Sequence, residues 1–292
     1  MNCTNPDSRD GGVAVVDVGS NTIKLLVANK SENNEMEVIH EKSIHARLGG
    51  GIGRKVSILS EKSMIDAEQA ILDLLAEANQ FAPSEVSMVA TGAVRSASNG
   101  RSFAMRMEET TRHQLNILSG EEEAEIIAHG LGTDPEVAKN EKFLACDLGG
   151  GSLELIYVEY GSIRKKASLP LGAIRLTERH VGDPSSELKE AEVRSIAKEA
   201  SDRLRQSDFS SIKPCNLIVA TGGAFVATRA ILALRDGISF DQRKFIDRSE
   251  IKLLGEAMTS LSLQARVKRF PPLPANRADI MPAALHCIFC VL

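Results

Sequence analysis

The sequence predicts an α/β protein built from two packed halves related by duplication. Three observations carry this. The stretch Cys146-Asp147-Leu148-Gly149-Gly150-Gly151-Ser152-Leu153-Glu154 joins two apolar, strand-like runs through a tight glycine turn with an acid at its start. The stretch from Val13 to Leu25 lies over it without a gap, placing Asp17 on Asp147, Gly19 on Gly149, Thr22 on Ser152 and Leu25 on Leu155 (147 − 17 = 130). A second pair, Val89-Ala90-Thr91-Gly92-Ala93 and Val219-Ala220-Thr221-Gly222-Gly223, recurs at the same offset (221 − 91 = 130). The order strand, hairpin, helix then occurs twice, without the regular βαβ alternation of a doubly wound sheet. The matched loops are expected to face each other across a cleft.

Residues 1–12 are polar and read as a flexible tail. A first domain is expected over 13–128 and a second over 129–277, with the apolar helix 278–292 a candidate to pack back on the first. In the first domain, 13–18 is a buried strand, 23–28 its hairpin partner and 36–41 a third strand after a turn at 31–35. The glycine-rich 48–54 matches neither a dinucleotide nor a P-loop pattern and reads as a flexible connector. Ser60 caps a helix whose apolar residues Met64, Ala67, Ile71, Leu74, Leu75 and Ala78 have helical spacing, ended by Pro83. A strand at 86–90, the loop Thr91-Gly92-Ala93-Val94-Arg95, a helix at 97–112 and a short strand at 116–118 follow. Ser119 then opens a helix through Leu131. The second domain repeats the layout: strands at 143–146, 153–158 and 164–169, then a helix at 172–180. A helix at 188–206 capped by Ser186, a strand at 217–220, and helices at 225–234 and 251–261 complete it before the linker 271–274.

Composition excludes several classes. A net charge of −4 and a pI near 5.9 give no electrostatic footprint for nucleic acid. No apolar run approaches a membrane span, and the start lacks the layout of a signal peptide. Five cysteines without a framework spacing point to a reducing, cytoplasmic setting. Cys287 and Cys290 form a C-x-x-C without a second ligand pair and read as buried helix residues. The six histidines form no ligand or catalytic pattern.

Consecutive glycines let the backbone approach a ligand closely, and their N–H groups form an anion-binding concavity. The turns therefore read as phosphate sites, with Gly19, Ser20, Asn21 and Thr22 in one and Gly149, Gly150, Gly151 and Ser152 in the other. Thr91, Gly222 and Gly223 belong to the matching loops after the parallel strands. Asp147 ends its strand beside the turn and is placed to hold a metal ion or a water, with Glu154 as a partner if strand alternation allows. Arg95 follows a strand-end turn, where a guanidinium can bind phosphate bidentately. Glu121, Glu122, Glu123 and Glu125 crowd the first turn of one helix. They complement its dipole, and their mutual repulsion can raise the pKa of one of them into the range of a general base.

These motifs, in this order, together with Arg277-Ala278-Asp279-Ile280, resemble the Ppx/GppA phosphatases, the exopolyphosphatases and guanosine pentaphosphate phosphohydrolases. The resemblance implies the actin-like ATPase (ASKHA) fold, with two ribonuclease H-like domains and an interdomain cleft. It implies Mg²⁺ as cofactor, inorganic polyphosphate or pppGpp as substrate, a link to the stringent response and a possible homodimer. Carried over by position, Glu122 is the base, and Asp17, Asp147 and Glu154 are the acids near Mg²⁺. Arg95 lies near the scissile phosphoryl group, and the two glycine turns hold phosphates. Longer members continue into a helical HD-type domain, so the chain is expected to be a short, two-domain member. Rival readings are a non-hydrolysing polyphosphate or alarmone sensor, a small-molecule kinase of the same fold and a filament-forming relative.

Overall fold

The computed structural model describes residues 12–30, 36–212, 215 and 217–292. The tail at 1–11, Cys3 and the turn at 31–35 lie outside them. The chain divides into two compact units, the first comprising residues through Gly50 and Val56–Leu118, the second Gly51–Lys55 and Ser119–Leu292.

The first unit is a five-stranded sheet with helices. Its strands are β1 (Val13–Val18), β2 (Thr22–Lys30), β3 (Met36–His45), β4 (Glu85–Ala90) and β5 (Leu115–Ile117), in the spatial order β3-β2-β1-β4-β5. β1 to β3 form an antiparallel meander, and β4 and β5 continue parallel to β1. Its helices are α1 (Glu61–Ala78), α2 (Gly92–Ser96) and α3 (Gly100–Thr111). Ser60 caps α1 by accepting from the Ser63 N–H at 3.1 Å. Ala67, Ala70, Ile71, Leu74, Leu75 and Ala78 form its buried stripe. Ala82 takes a left-handed conformation at φ 45° just past this helix, so the chain turns before Pro83. The helix expected at 97–112 is α3, which starts at Gly100, and the loop expected at 91–95 is instead the short α2, ended by the extended Ala97.

The second unit repeats the plan with four strands. It contains α4 (Gly120–Gly132), α5 (Pro135–Ala138), β6 (Lys142–Leu148), β7 (Leu153–Glu159) and β8 (Ser162–Leu169). Next come α6 (Ala173–His180), α7 (Glu190–Gln206), β9 (Ile218–Thr221) and α8 (Gly223–Asp236). The last helices are α9 (Arg248–Thr259), α10 (Leu263–Arg269) and α11 (Met281–Val291). The strand order is β8-β7-β6-β9, antiparallel except that β9 runs parallel to β6. β6 and β7 are buried almost without interruption, as central strands of a covered sheet are. Ala124 and Ala128 of α4 pack with Phe143, Ala145, Ile156 and Val158 on one face.

Three expectations change. The units divide at Leu118/Ser119 rather than at 128/129, because α4 packs on β7 and β8. The C-terminal helix α11 packs on α6, α7 and α9 of the second unit. Ser186 does not cap α7: its hydroxyl donates to Asp183, while the Glu192 carboxylate accepts from the Lys189 N–H at 2.7 Å. Cys287 is buried in α11 and Cys290 is half-buried, and burial pushes both thiols up.

The C-terminal part of the second unit is held by Arg266, which is fully buried. Its guanidinium donates to the carbonyls of Met258 (2.8 Å), Ser186 (2.8 Å), Pro184 (3.0 Å) and Ala278 (3.3 Å). Removing the guanidinium strands several buried acceptors at once, so Arg266→Leu is expected to cost about 3–5 kcal/mol. The shift in the urea midpoint measures this.

Candidate phosphate-binding site

In the second unit the turn between β6 and β7 is ordered by α6. The Gly149 carbonyl accepts from the Ala173 N–H at 3.0 Å and the Gly150 carbonyl from the Ile174 N–H at 2.9 Å. The Gly151 carbonyl accepts from Arg175 Nε at 2.8 Å. In a trans peptide the N–H points opposite to the preceding carbonyl. With these three carbonyls turned toward α6, the N–H groups of Gly150, Gly151 and Ser152 turn the other way, which makes an anion-binding concavity. The contact leaves no room for a side chain. A Cβ on Gly172 would lie 2.3–2.4 Å from the backbone of Gly150 and Gly151. Gly172→Ala is therefore expected to displace the turn and weaken binding of inorganic phosphate and tripolyphosphate at least tenfold, read by calorimetry.

Gly222 and Gly223 follow β9 alongside. Gly222 has φ 96°, and a Cβ there would meet the Asp147 carboxylate at 2.6 Å. A Cβ on Gly223 would overlap the Arg277 guanidinium, at 2.2–2.7 Å. Both glycines let neighbours of the turn come close. The cavity behind the turn, lined in part by Gly149, Gly150, Ala173 and Arg277, is only about 10 Å³, the space of one water. The amide-bearing side of the turn is the opposite one.

The acids of this unit gather beside the turn. Asp147 and Glu154 are direct cross-strand partners, which puts two carboxylates side by side. Glu154 is 1% exposed, and Ser168 Oγ donates to its Oε1 at 2.7 Å. Burial first, and then the negative charge of Glu123, push its carboxyl up to about 8.

The four acids of α4 separate by role. The Glu122 carboxylate accepts from the Ser119 N–H at 2.7 Å and completes a capping box, a bond that lowers its pKa. Glu125 pairs with Lys166, and Glu121 lies 3.4 Å from the same ammonium. Glu123 is half-buried and is the one whose charge reaches Glu154. The base expected at Glu122 thus has its carboxylate committed to the helix end, while its neighbour Glu123 joins the acidic pair.

The first unit carries a second turn built on the same principle. Ser20 and Asn21 are 6% and 5% exposed. Their carbonyls accept from the Gly49 N–H at 2.7 Å and the Arg47 N–H at 3.0 Å, which turns the N–H groups of Asn21 and Thr22 the other way. Both polar atoms of the buried Asn21 amide lack a hydrogen-bond partner within the protein, as expected of a group that meets a ligand or water. Gly19 is packed against the Thr22 carbonyl, 2.8 Å from where its Cβ would be. Asp17 pairs across the hairpin with Lys24, where the second unit has Asp147 with Glu154. Thr91 immediately precedes the short α2, its N–H donating to Val18 O at 3.3 Å. Arg95 lies within α2 rather than on an open loop, and its guanidinium donates to Leu118 O at 2.9 Å.

Residues 149–152, 222, 223, 147 and 154 are therefore together in the second unit, and 17, 19–22, 91 and 95 belong to the first. The structure adds Ser168, Gly172 and Arg175, for which no role is expected from the sequence. The only signal for the last two was the segment Leu171-Gly172-Ala173-Ile174-Arg175 that opens α6. The stretch read as a flexible connector is fixed instead: the Glu178 carboxylate accepts from Gly51 and Gly53, at 2.8 and 2.9 Å. Among the described residues no group of three or more His, Cys, Asp or Glu side chains is arranged to hold a metal ion, and no helix is long and apolar enough to cross a membrane.

Two α/β units with the strand orders β3-β2-β1-β4-β5 and β8-β7-β6-β9, each with a tight turn between its antiparallel strands, agree with the actin-like ATPase fold expected from the sequence. The chain belongs to the Ppx/GppA phosphatase family, whose sequence model matches residues 26–292. Solved structures agree on the fold. An exopolyphosphatase from Cytophaga hutchinsonii is 24% identical with a TM-score of 0.83, the match covering 96% of this chain and 90% of that one. A Ppx/GppA family member from Aquifex aeolicus is 24% identical with a TM-score of 0.75, covering 96% and 89%. An exopolyphosphatase-like protein is 19% identical with a TM-score of 0.84, covering 97% and 88%.

Proposed function

We propose that the chain hydrolyses the terminal phosphoanhydride of inorganic polyphosphate, of pppGpp, or of both. The observation that carries this is the pinning of the Gly149, Gly150 and Gly151 carbonyls, which leaves a row of amides for phosphate oxygens beside an acidic cluster. In this reading Glu123 takes the role expected of Glu122. Its carboxylate orients a water and accepts its proton as the water oxygen bonds to the terminal phosphorus and the bridging P–O bond breaks. In the second unit the turn at 149–152, with Gly222 and Gly223, binds phosphate; in the first unit the turn at 19–22 and Thr91 have the same role, and Arg95 offsets phosphoryl charge. Phosphoryl transfer depends mainly on such positioning and electrostatics.

Mg²⁺ fits the acids present. Asp147 and Glu154 are adjacent, and burial, with repulsion from Glu123 and then Asp147, raises the Glu154 carboxyl, which a cation would return to its ionised form. Mg²⁺ is held by one or two carboxylates plus phosphate oxygens, so a third protein ligand is not required. Asp147 and Glu154 would hold it, and Asp17 is the corresponding acid in the first unit. Bound there, the ion supplies charge neutralisation for the phosphate oxygens.

The test is phosphate release measured side by side on polyphosphates of several lengths and on pppGpp, with and without Mg²⁺. Release without an added acceptor, dependent on Mg²⁺, is the expected result. Tight binding of both substrates with no release would replace the hydrolase by a sensor.

A further inference from the structure

We propose that Arg175 is a positioning residue that fixes the direction of the Gly151–Ser152 peptide, and that the strap at 51–53 holds Arg175 in that task. The inference rests on reading 149–152 as a phosphate loop. Arg175 is 5% exposed, and a buried guanidinium must spend its donors on fixed acceptors. Its Nε donates to Gly151 O at 2.8 Å and its Nη1 to Ile52 O, also at 2.8 Å. The first two carbonyls of the glycine turn are held by backbone N–H groups of α6, of Ala173 and Ile174. The third, on Gly151, is bonded by a side chain from the next residue. That carbonyl decides where the Ser152 N–H points.

The strap gives the guanidinium its second anchor. Residues 51–55 belong to the second unit although the chain on either side of them belongs to the first. Glu178, three residues after Arg175 on α6, accepts from both Gly51 and Gly53, while Arg175 binds the carbonyl of Ile52 between them. Gly53 is pressed onto the helix, where a Cβ would lie 2.6 Å from Glu178 Cβ and 2.8 Å from the Arg175 carbonyl. The planar fork of arginine spans two carbonyls in a fixed geometry, which the single ammonium of lysine does not reproduce.

The test uses the whole protein with tripolyphosphate as substrate, and hydrogen exchange of the amides at 149–153. Losing a charge-assisted bond of this kind changes affinity by about 10–100-fold. Arg175→Lys is therefore expected to raise KM at least tenfold, with a smaller change in kcat, and to speed exchange at 149–153. Gly53→Ala, which dislodges the strap and keeps the arginine, is expected to shift both readouts in the same direction. Leu176→Ala, a core change on the same helix, is expected to lower Tm with KM and local exchange unchanged. The proposal is overturned if Arg175→Lys and Gly53→Ala behave like Leu176→Ala, losing Tm alone. Should Arg175→Lys not fold, Gly53→Ala decides. If the parent protein releases no phosphate from any substrate, the hydrolase reading fails, while the exchange rates still decide whether Arg175 holds the loop.

Discussion

Glu123→Gln is expected to lower kcat about 10²–10⁴-fold, the usual contribution of a positioned general base. Phosphate release from tripolyphosphate or pppGpp is the measurement. The four acids of α4 differ in what each one faces. Glu122 is bound to the Ser119 N–H at the helix start, and Glu121 and Glu125 face Lys166. Glu123 alone of the four is linked to the buried Glu154, next to the amide-lined turn. Glu122→Gln is expected to loosen the start of α4 and to leave turnover close to normal. The reverse pattern, with Glu122→Gln inactive and Glu123→Gln active, would return the base to the residue first expected from the sequence. A second readout comes from the same substitution: removing the charge of Glu123 should lower the pKa of Glu154, one of whose causes is that charge.

The metal-free protein is expected to lose stability as pH rises from about 5 to 8, and Glu154→Gln to abolish much of that loss. The Glu154 carboxyl is raised from 4.5 to about 8 in the folded chain. Between these values the native state keeps a proton that the unfolded chain has released, so stability must fall with pH. This contribution is complete below about pH 4.5 and gone above about pH 8, with a limiting slope of about 1.4 kcal/mol per pH unit. Urea midpoints measured in EDTA across this range give the curve. The glutamine variant keeps the shape and the hydrogen bond to Ser168 without the charge. It should be the more stable protein at pH 8 and an inactive one. Added Mg²⁺ should stabilise the parent at pH 8 and leave the variant unmoved. Parallel pH curves for the two proteins would show that Glu154 titrates normally and that its burial carries no charge penalty.

Much of the fold is legible because its signals are local. The strands beside Asp17 and Asp147 announce themselves by apolar runs ending at glycine turns, and α1 by its capped stripe of spaced apolar residues. The phosphate turns are legible for the same reason, since glycine and small polar residues are needed wherever backbone approaches a ligand. The sequence does not reveal which of four adjacent acids faces inward. That depends on the rotation of α4 over β7 and β8 and on Lys166, which lies far along the chain. Arg175 was hidden by the same kind of distance: nothing local shows that a helix arginine bonds a carbonyl twenty-four residues earlier. The boundary between the units escaped because α4 continues the chain of the first unit while its apolar face fits the sheet of the second. Pairing register escaped too. Asp17 and Thr91 are as far apart in sequence as Asp147 and Thr221, yet Asp147 lies opposite Thr221 and Asp17 opposite Val89.

The cross-strand neighbour of the turn acid is Lys24 in one unit and Glu154 in the other. The backbones repeat, but the two cradles are chemically unlike. On the proposed function each cradle therefore meets phosphate with a charge of its own: the ammonium attracts the fully ionised oxygens directly, whereas the carboxylate repels them unless a cation intervenes, so only the second cradle calls for a metal.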